Sequence, residues 1–230
     1  MPQTTLTALL ARNANHTERL PSDYFADVAD RQEPAAVSVC CADSRVSQEG
    51  MWSIDEPGWL FTPSTIGNQV WDDVDGDLVV DGSVLYPMHA TDTDVTIVVG
   101  HTGCGAVTAA LETVRTGKRD GLRGLRKRVD LLVPVIEEGL EDPRVRDRHD
   151  ASIVDQLVEY NVDRQVRFLV ESDDVPESET VFGFVYDLHN VYGDAPGRAY
   201  LVNIDGVTDV DHLQNQTDDR FHGHIHRLLT

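Results

Sequence analysis

Apolar positions recur along this chain with two different rhythms. Over residues 151–170 they fall at Ile153, Val154, Leu157, Val158, Val162, Val166 and Leu169, the three- and four-residue spacing of one helix face. AAVSVCC (35–41) and DVTIVVG (94–100) are instead short, Val-rich runs, the pattern of buried strands. GWLFTPS (58–64) predicts a further strand. TVFGFVYDL (180–188) and RAYLVNID (198–205), joined by a loop with Gly193 and Pro196, predict two more that pair as a hairpin. Helices are predicted at 106–115 and at 121–140, the second with a basic face of Arg123, Arg126, Lys127 and Arg128. Ser83 to His89 is mixed and compatible with a helix, although Pro87 interrupts it. In residues 4–31, Leu6, Leu9 and Leu10, then Tyr24, Phe25 and Val28, keep helical spacing, and Pro21 divides the segment into two predicted helices. Strands alternating with helices imply an α/β fold, a mainly parallel central sheet flanked by helices with an N-terminal helical arm. No repeat or low-complexity linker divides the chain, so one domain over 1–230 is expected, residues 1–33 forming the arm.

Charge narrows the functions this fold can serve. Asp and Glu number 40 against 19 Lys and Arg, a formal net charge of −21. Phosphate recognition needs a basic surface, so nucleic acid is excluded as a partner, and an anionic membrane on the same ground. No apolar run approaches the ~20 residues that span a bilayer. The N-terminus lacks the basic start and apolar stretch of a signal peptide. A soluble cytoplasmic protein is therefore expected. The acidic residues are spread along the whole chain, which points to a folded, acidic-surfaced protein suited to a salt-rich cytoplasm.

The cysteines, Cys40, Cys41 and Cys104, are too few for a disulfide framework and direct attention to metal ligation or nucleophilic chemistry. The first strand ends in Cys41-Ala-Asp43-Ser-Arg45. The strand at 94–100 ends in His101-Thr-Gly-Cys104-Gly, which opens a helix. In sheets of this kind, ligands bind beyond the carboxyl ends of the strands. Two thiolates and one imidazole suit Zn²⁺ and leave a fourth position open, the arrangement of a catalytic zinc. The helix that follows Cys104 favours its thiolate. Cys40, next to Cys41 in a strand, points to the opposite face and reads as a small buried apolar residue. GHTGCGAV lacks the ending of a phosphate-binding loop. Taken alone, these residues leave open a second reading, buried thiols with a structural histidine and an Asp43–Arg45 ion pair capping a turn.

CADSR at 41–45 and GHTGCG at 100–105, about sixty residues apart, resemble the paired signatures of beta-class carbonic anhydrases. The resemblance extends to Asn13 and Phe25, to Gln32-Glu-Pro34, to Pro57-Gly58 leading into Phe61, to Gly67-Asn68 and to Tyr186-Asp187. It implies that Cys41, His101 and Cys104 ligate zinc. It implies that Arg45 keeps Asp43 ionised while Asp43 accepts a hydrogen bond from the nucleophile. Gln32 would contact a substrate oxygen, Gly103 would lie against the pocket, and Phe25 would serve a partner subunit in a homodimer or higher homo-oligomer. The implied reaction is the reversible hydration of carbon dioxide to bicarbonate and a proton by zinc-bound hydroxide. Two alternatives keep the same ligands: a zinc hydrolase of another small linear molecule such as carbon disulfide, and a non-catalytic zinc protein in which Asp43 closes the site. The chain departs from the family's Arg-Asn-x-Gly-Asn, carrying Ser64-Thr65-Ile66-Gly67-Asn68, which removes the Arg used by some members for a non-catalytic bicarbonate site. His222, His224 and His226 alternate near the C-terminus and are expected to lie in a mobile, solvated tail.

Overall fold

A computed structural model describes residues 2–91, 93–119, 121–148 and 150–230. Its main sheet contains β1 (Ala36–Cys41), β2 (Leu60–Phe61), β3 (Ser64–Thr65), β6 (Val95–His101), β7 (Thr180–Asp187) and β8 (Arg198–Ile204). The strand order is β2-β1-β6-β7-β8, with β3 also pairing β1. Every pair in it is parallel except the β7–β8 hairpin. This is the mainly parallel α/β sheet that the alternating pattern implies.

Helices α3 (Gly82–Ala90), α4 (Gly105–Thr116), α5 (Arg123–Asp130), α6 (Val133–Glu141) and α7 (Ile153–Val170) connect and cover the strands. α7 lies across β6 and β7. Gly100 allows the close approach: a Cβ there would stand 2.7 Å from Val162 Cγ2. The main core fills this face, with Val37, Val39 and Cys41 from β1 in one cluster with Leu157, Val158, Val162, Val166 and Leu169 from α7. The opposite face buries Ala36, Cys40, Ile97 and Val99 beneath Trp52 and Phe184, Trp52 coming from the short α2 (Gln48–Trp52). Strand alternation thus puts Cys40 and Cys41 on opposite faces, as expected from their adjacency.

Several local expectations need correction. The strand at 58–64 is two fragments, because Pro63 has no N–H to give to the ladder. Residues 121–140 form two helices, α6 restarting with Pro134 in its first turn, where a missing N–H costs nothing. The antiparallel hairpin β4 (Trp71–Val74) and β5 (Asp77–Val80) was not legible as strand. The N-terminal segment is one helix, α1 (Pro2–Arg19), followed by turns at 22–28. α1 buries no residue and leaves Leu6, Leu9 and Leu10 at 56–64% exposure. The C-terminal histidines are not in a free tail, although His224 and His226 are exposed. After α8 (Val210–Asn215) and a 3-10 turn at Asp219–His224, the chain enters the core with Ile225, Arg227, Leu228 and Leu229 buried. Among the described residues no helix is long and apolar enough to cross a membrane.

Candidate metal centre

β1 and β6 are neighbours in register, Cys40 opposite Val99, so their carboxyl ends emerge side by side. That places Cys41, the last residue of β1, beside His101, the last of β6. The chain then turns through Thr102 and Gly103, and Cys104 becomes the N-cap of α4. Cys41 Sγ and Cys104 Sγ are 3.7 Å apart, and the donor atoms of Cys41, His101 and Cys104 all lie within 4.8 Å of one another. All three side chains are buried.

The state of each donor follows from its surroundings. His101 Nδ1 lies 3.0 Å from the Thr102 carbonyl oxygen, which can only accept, so the proton is on Nδ1. Nε2 therefore presents a lone pair, and it is buried without a hydrogen-bond partner. Such an atom is costly unless something fills its coordination. The two thiols are hydrogen-bonded to each other, and that bond, opposed by burial, draws the Cys104 thiol well below its ordinary range. The same hydrogen bond, then burial, pushes Cys41 up. A divalent cation can replace the proton of that bond and satisfy Nε2 together, and an S,S,N donor set suits zinc. Cys40 is separate, its thiol 3.8 Å from Ser38 Oγ and pushed up to about 12 chiefly by burial, which keeps it protonated.

Asp43 and Arg45 follow Cys41 directly. Arg45 donates from Nε to Asp43 Oδ1 at 2.9 Å, from Nη2 to Oδ2 at 2.7 Å, and from its backbone N–H to Oδ1 at 2.9 Å. These bonds, the guanidinium first, hold the Asp43 carboxyl well below the usual carboxylate range. Asp43 Oδ2 stands 3.6 Å from His101 Nε2, so the ionised carboxylate faces the metal donors without being one of the group.

The outer expected residues are less closely gathered. Gly103 sits in the loop between two donors, at φ +65°. Gln32 is exposed and directs Nε2 to Tyr86 Oη at 3.5 Å, while Phe25 is half exposed and packs edge-on to Tyr24. Gly67 and Asn68 are tied to α7: Asn161 Nδ2 donates to the Gly67 carbonyl at 3.0 Å and to Asn68 Oδ1 at 3.2 Å. Ser64 Oγ accepts from Gln48 Nε2 at 3.1 Å. The C-terminal histidines do not form a metal group among the described residues; His222 and His224 meet backbone carbonyls, and His226 packs against Tyr192 and Tyr200. Two supports of the loop escaped sequence reasoning. Thr102 Oγ1 accepts Leu188 N–H at 2.8 Å, and Asp155 Oδ1 accepts Gly103 N–H at 2.8 Å. Ser152-x-x-Asp155, a capping-box pattern, was the available signal for the latter.

A parallel sheet with two thiols and an imidazole converging at adjacent strand ends defines a metalloprotein of the α/β class. The sequence model of the family described as carbonic anhydrase matches residues 36–193. Carbonic anhydrase 2 of Mycobacterium tuberculosis is 29% identical over 179 residues, 78% of this chain and 79% of that protein. Among solved structures, a beta-carbonic anhydrase of Aspergillus fumigatus superposes with a TM-score of 0.69 at 23% identity, covering 93% of this chain and 100% of that one. A tetrameric beta-carbonic anhydrase of Sordaria macrospora gives 0.68 at 20% identity, covering 87% and 98%. The chain belongs to the carbonic anhydrase family, and its fold is that of the beta class. Its activity is accordingly the zinc-dependent hydration of carbon dioxide, with a Cys-His-Cys cluster that fits the metal.

Proposed function

We propose that Cys41, His101 and Cys104 hold the zinc and that Asp43 and Arg45 direct the reaction. The observation that carries this reading is His101 Nε2, buried, unpartnered and converging with two thiols. Held by Cys41, His101 and Cys104, zinc would supply the acidity that makes hydroxide from water at about pH 7, a value established on carbonic anhydrases themselves. Arg45 fixes both oxygens of Asp43 and keeps them ionised. Asp43 can then only accept, so it takes the hydrogen bond of the attacking oxygen and aims the remaining lone pair at the carbon of carbon dioxide. Because Arg45 occupies Asp43, the carboxylate is withheld from closing the site, which favours a catalytic over a purely structural zinc. Gln32, Phe25 and Gly103 complete the substrate pocket in this reading. Zinc analysis with stopped-flow carbon dioxide hydration tests it: one zinc per chain, with turnover lost to a chelator and restored by zinc, is expected. A chain that hydrates carbon dioxide equally well without metal would refute it.

The remaining features fit one soluble cytoplasmic domain over 1–230 that works as a homodimer or larger homo-oligomer. The bare leucines of α1 support residues 1–33 as an arm laid on a partner copy. Three free cysteines suit a reducing compartment. With Ser64 bonded to Gln48 in place of a basic residue, the anion-regulated state has no charge partner, so the site stays open in the presence of bicarbonate. A net charge of −21 per chain is a salt adaptation, since repulsion between copies falls as screening shortens from about 10 Å at 0.1 M to about 3 Å at 1 M. Sedimentation and turnover followed together from about 0.05 M to about 2 M KCl should show assembly and activity rising in parallel. An oligomer equally intact and active throughout would remove salt from the picture.

A further inference from the structure

The loop between His101 and Cys104 carries no donor atom, yet its conformation decides where Cys104 Sγ stands relative to His101 Nε2. On one side it is bounded by His189, whose Cε1 would lie 2.7 Å from a Cβ at Gly103. On the other side stands Asp155, in the first turn of α7 and only 8% exposed. Asp155 Oδ1 accepts Gly103 N–H at 2.8 Å, and Oδ2 accepts Ser152 Oγ–H at 2.7 Å. The Ser152 half of a capping box is intact, its Oγ accepting Asp155 N–H at 3.1 Å. In such a box the third residue's carboxylate ordinarily turns back to the N-cap N–H. Here it is turned to Gly103, 52 positions away in sequence. Helix capping alone gives no reason for a buried carboxylate to be aimed at a loop flanked by two metal donors.

We propose that Asp155 is a positioning residue of the metal centre. By holding Gly103 N–H it fixes the His101–Cys104 loop, so that both donors remain at metal-binding separation. It touches neither metal nor substrate. The inference rests on the zinc reading above. Partners that orient metal ligands from outside typically carry 10–100-fold in metal affinity, and Asp155 acts through one further link, so about tenfold is expected.

The test compares Asp155→Glu with Asp155→Asn. Zinc affinity is read by competition with a chromogenic chelator, and site geometry by the absorption of the cobalt(II)-substituted protein, both well below the melting temperature of each metal-free variant. Glu preserves a Ser-x-x-Glu capping pair but carries the carboxylate one methylene out of line with Gly103. It should leave metal-free stability near that of the parent, weaken zinc about tenfold and shift the thiolate-to-cobalt band. Asn keeps an acceptor oxygen at the same distance and should hold zinc within about threefold, with the parental spectrum. If the longer side chain disturbs folding, Asp155→Ala with Ser152 retained takes its place under the same expectation. Parental affinity and spectrum in the Glu or Ala variant, or equal loss in Asn, would overturn the proposal. A parent chain that binds no zinc would instead overturn the functional reading.

Discussion

Two clusters of buried ionisable groups flank α7, and they differ in how far their polar atoms are satisfied. At one, Cys41, His101 and Cys104 converge, with His101 Nε2 unpartnered and the two sulfurs 3.7 Å apart. At the other, Glu159, Asp163 and Arg227 are bonded throughout. Glu159 accepts from Tyr192 Oη at 2.7 Å, from Leu228 N–H at 2.8 Å and from Leu229 N–H at 3.0 Å, and pairs with Arg227 Nη2 at 3.1 Å. Arg227 Nη2 also reaches Asp163 at 2.7 Å, and its Nη1 donates to the Val202 carbonyl. The second cluster is self-sufficient: it pins the C-terminal segment to α7 and asks for nothing more. The first leaves a donor atom unmet and fits a cation. Burial and charge are common to both; what sets the first apart is an unmet nitrogen that converges with two thiols, a donor set that fits a metal.

The largest expected effect separates the two outright. Cys104→Ala should abolish zinc binding and essentially all carbon dioxide hydration while leaving a folded chain, because the site stabilises little without metal; Cys40→Ala should spare both. Metal analysis and stopped-flow turnover decide, and full zinc in Cys104→Ala would dissolve the contrast. Next, Arg227→Ala strands a buried Glu159 and should destabilise the fold by about 3–5 kcal/mol in urea titration, with zinc content per folded molecule unchanged. A variant of parental stability would mean that the C-terminal clamp contributes nothing. Asp43→Ala sharpens the contrast inside the metal centre: zinc stays, and turnover drops at least about a hundredfold, the scale of a positioned proton-handling group. Unaltered turnover would return Asp43 and Arg45 to a structural ion pair.

The smallest effect probes a third carboxylate that is neither metal-poised nor satisfied. Glu179 Oε1 accepts from Thr96 Oγ1 at 2.5 Å, but Oε2 is buried without a partner. Burial, opposed by Thr96 and reinforced by Asp94 and Asp205, raises its pKa from 4.5 to about 7. The folded state therefore binds this proton more tightly than the unfolded chain, and the contribution is lost as pH rises from about 4.5 through about 7. Glu179→Gln should remove that slope, gaining about 1 kcal/mol at pH 8 after allowance for its partial exposure and little at pH 4. Urea midpoints at the two pH values check it. A parallel pH dependence in both proteins would show Glu179 ionised at an ordinary pKa.

How legible each feature was depended on how local its cause is. The helix of residues 153–170 and the strands at 36–41 and 95–101 were readable because side-chain period reflects the face that is buried. The hairpin at 71–80 was not, since its acidic, half-exposed residues lack alternation and its pairing is with itself alone. The C-terminal segment misled for a related reason: His224 and His226 are exposed, but the segment is anchored, because Leu228 and Leu229 are drawn inward by Glu159, about seventy residues earlier. Gln32 and Phe25 remain at the surface of one chain, where single-chain geometry gives them no metal-site contact.

By itself the sequence determined the chemistry of the donors, their places at two strand ends, the Asp43–Arg45 pairing across two residues, and the acidic surface. Each of these is fixed by covalent neighbours or by composition. Tertiary structure alone decided that β1 lies beside β6, that His101 is left with a bare Nε2, that Asp155 turns from its own helix to Gly103, and that Arg227 closes the C-terminus onto α7. Those outcomes join residues many tens of positions apart. They depend on which buried groups find partners once the chain is packed, a condition that no local pattern records.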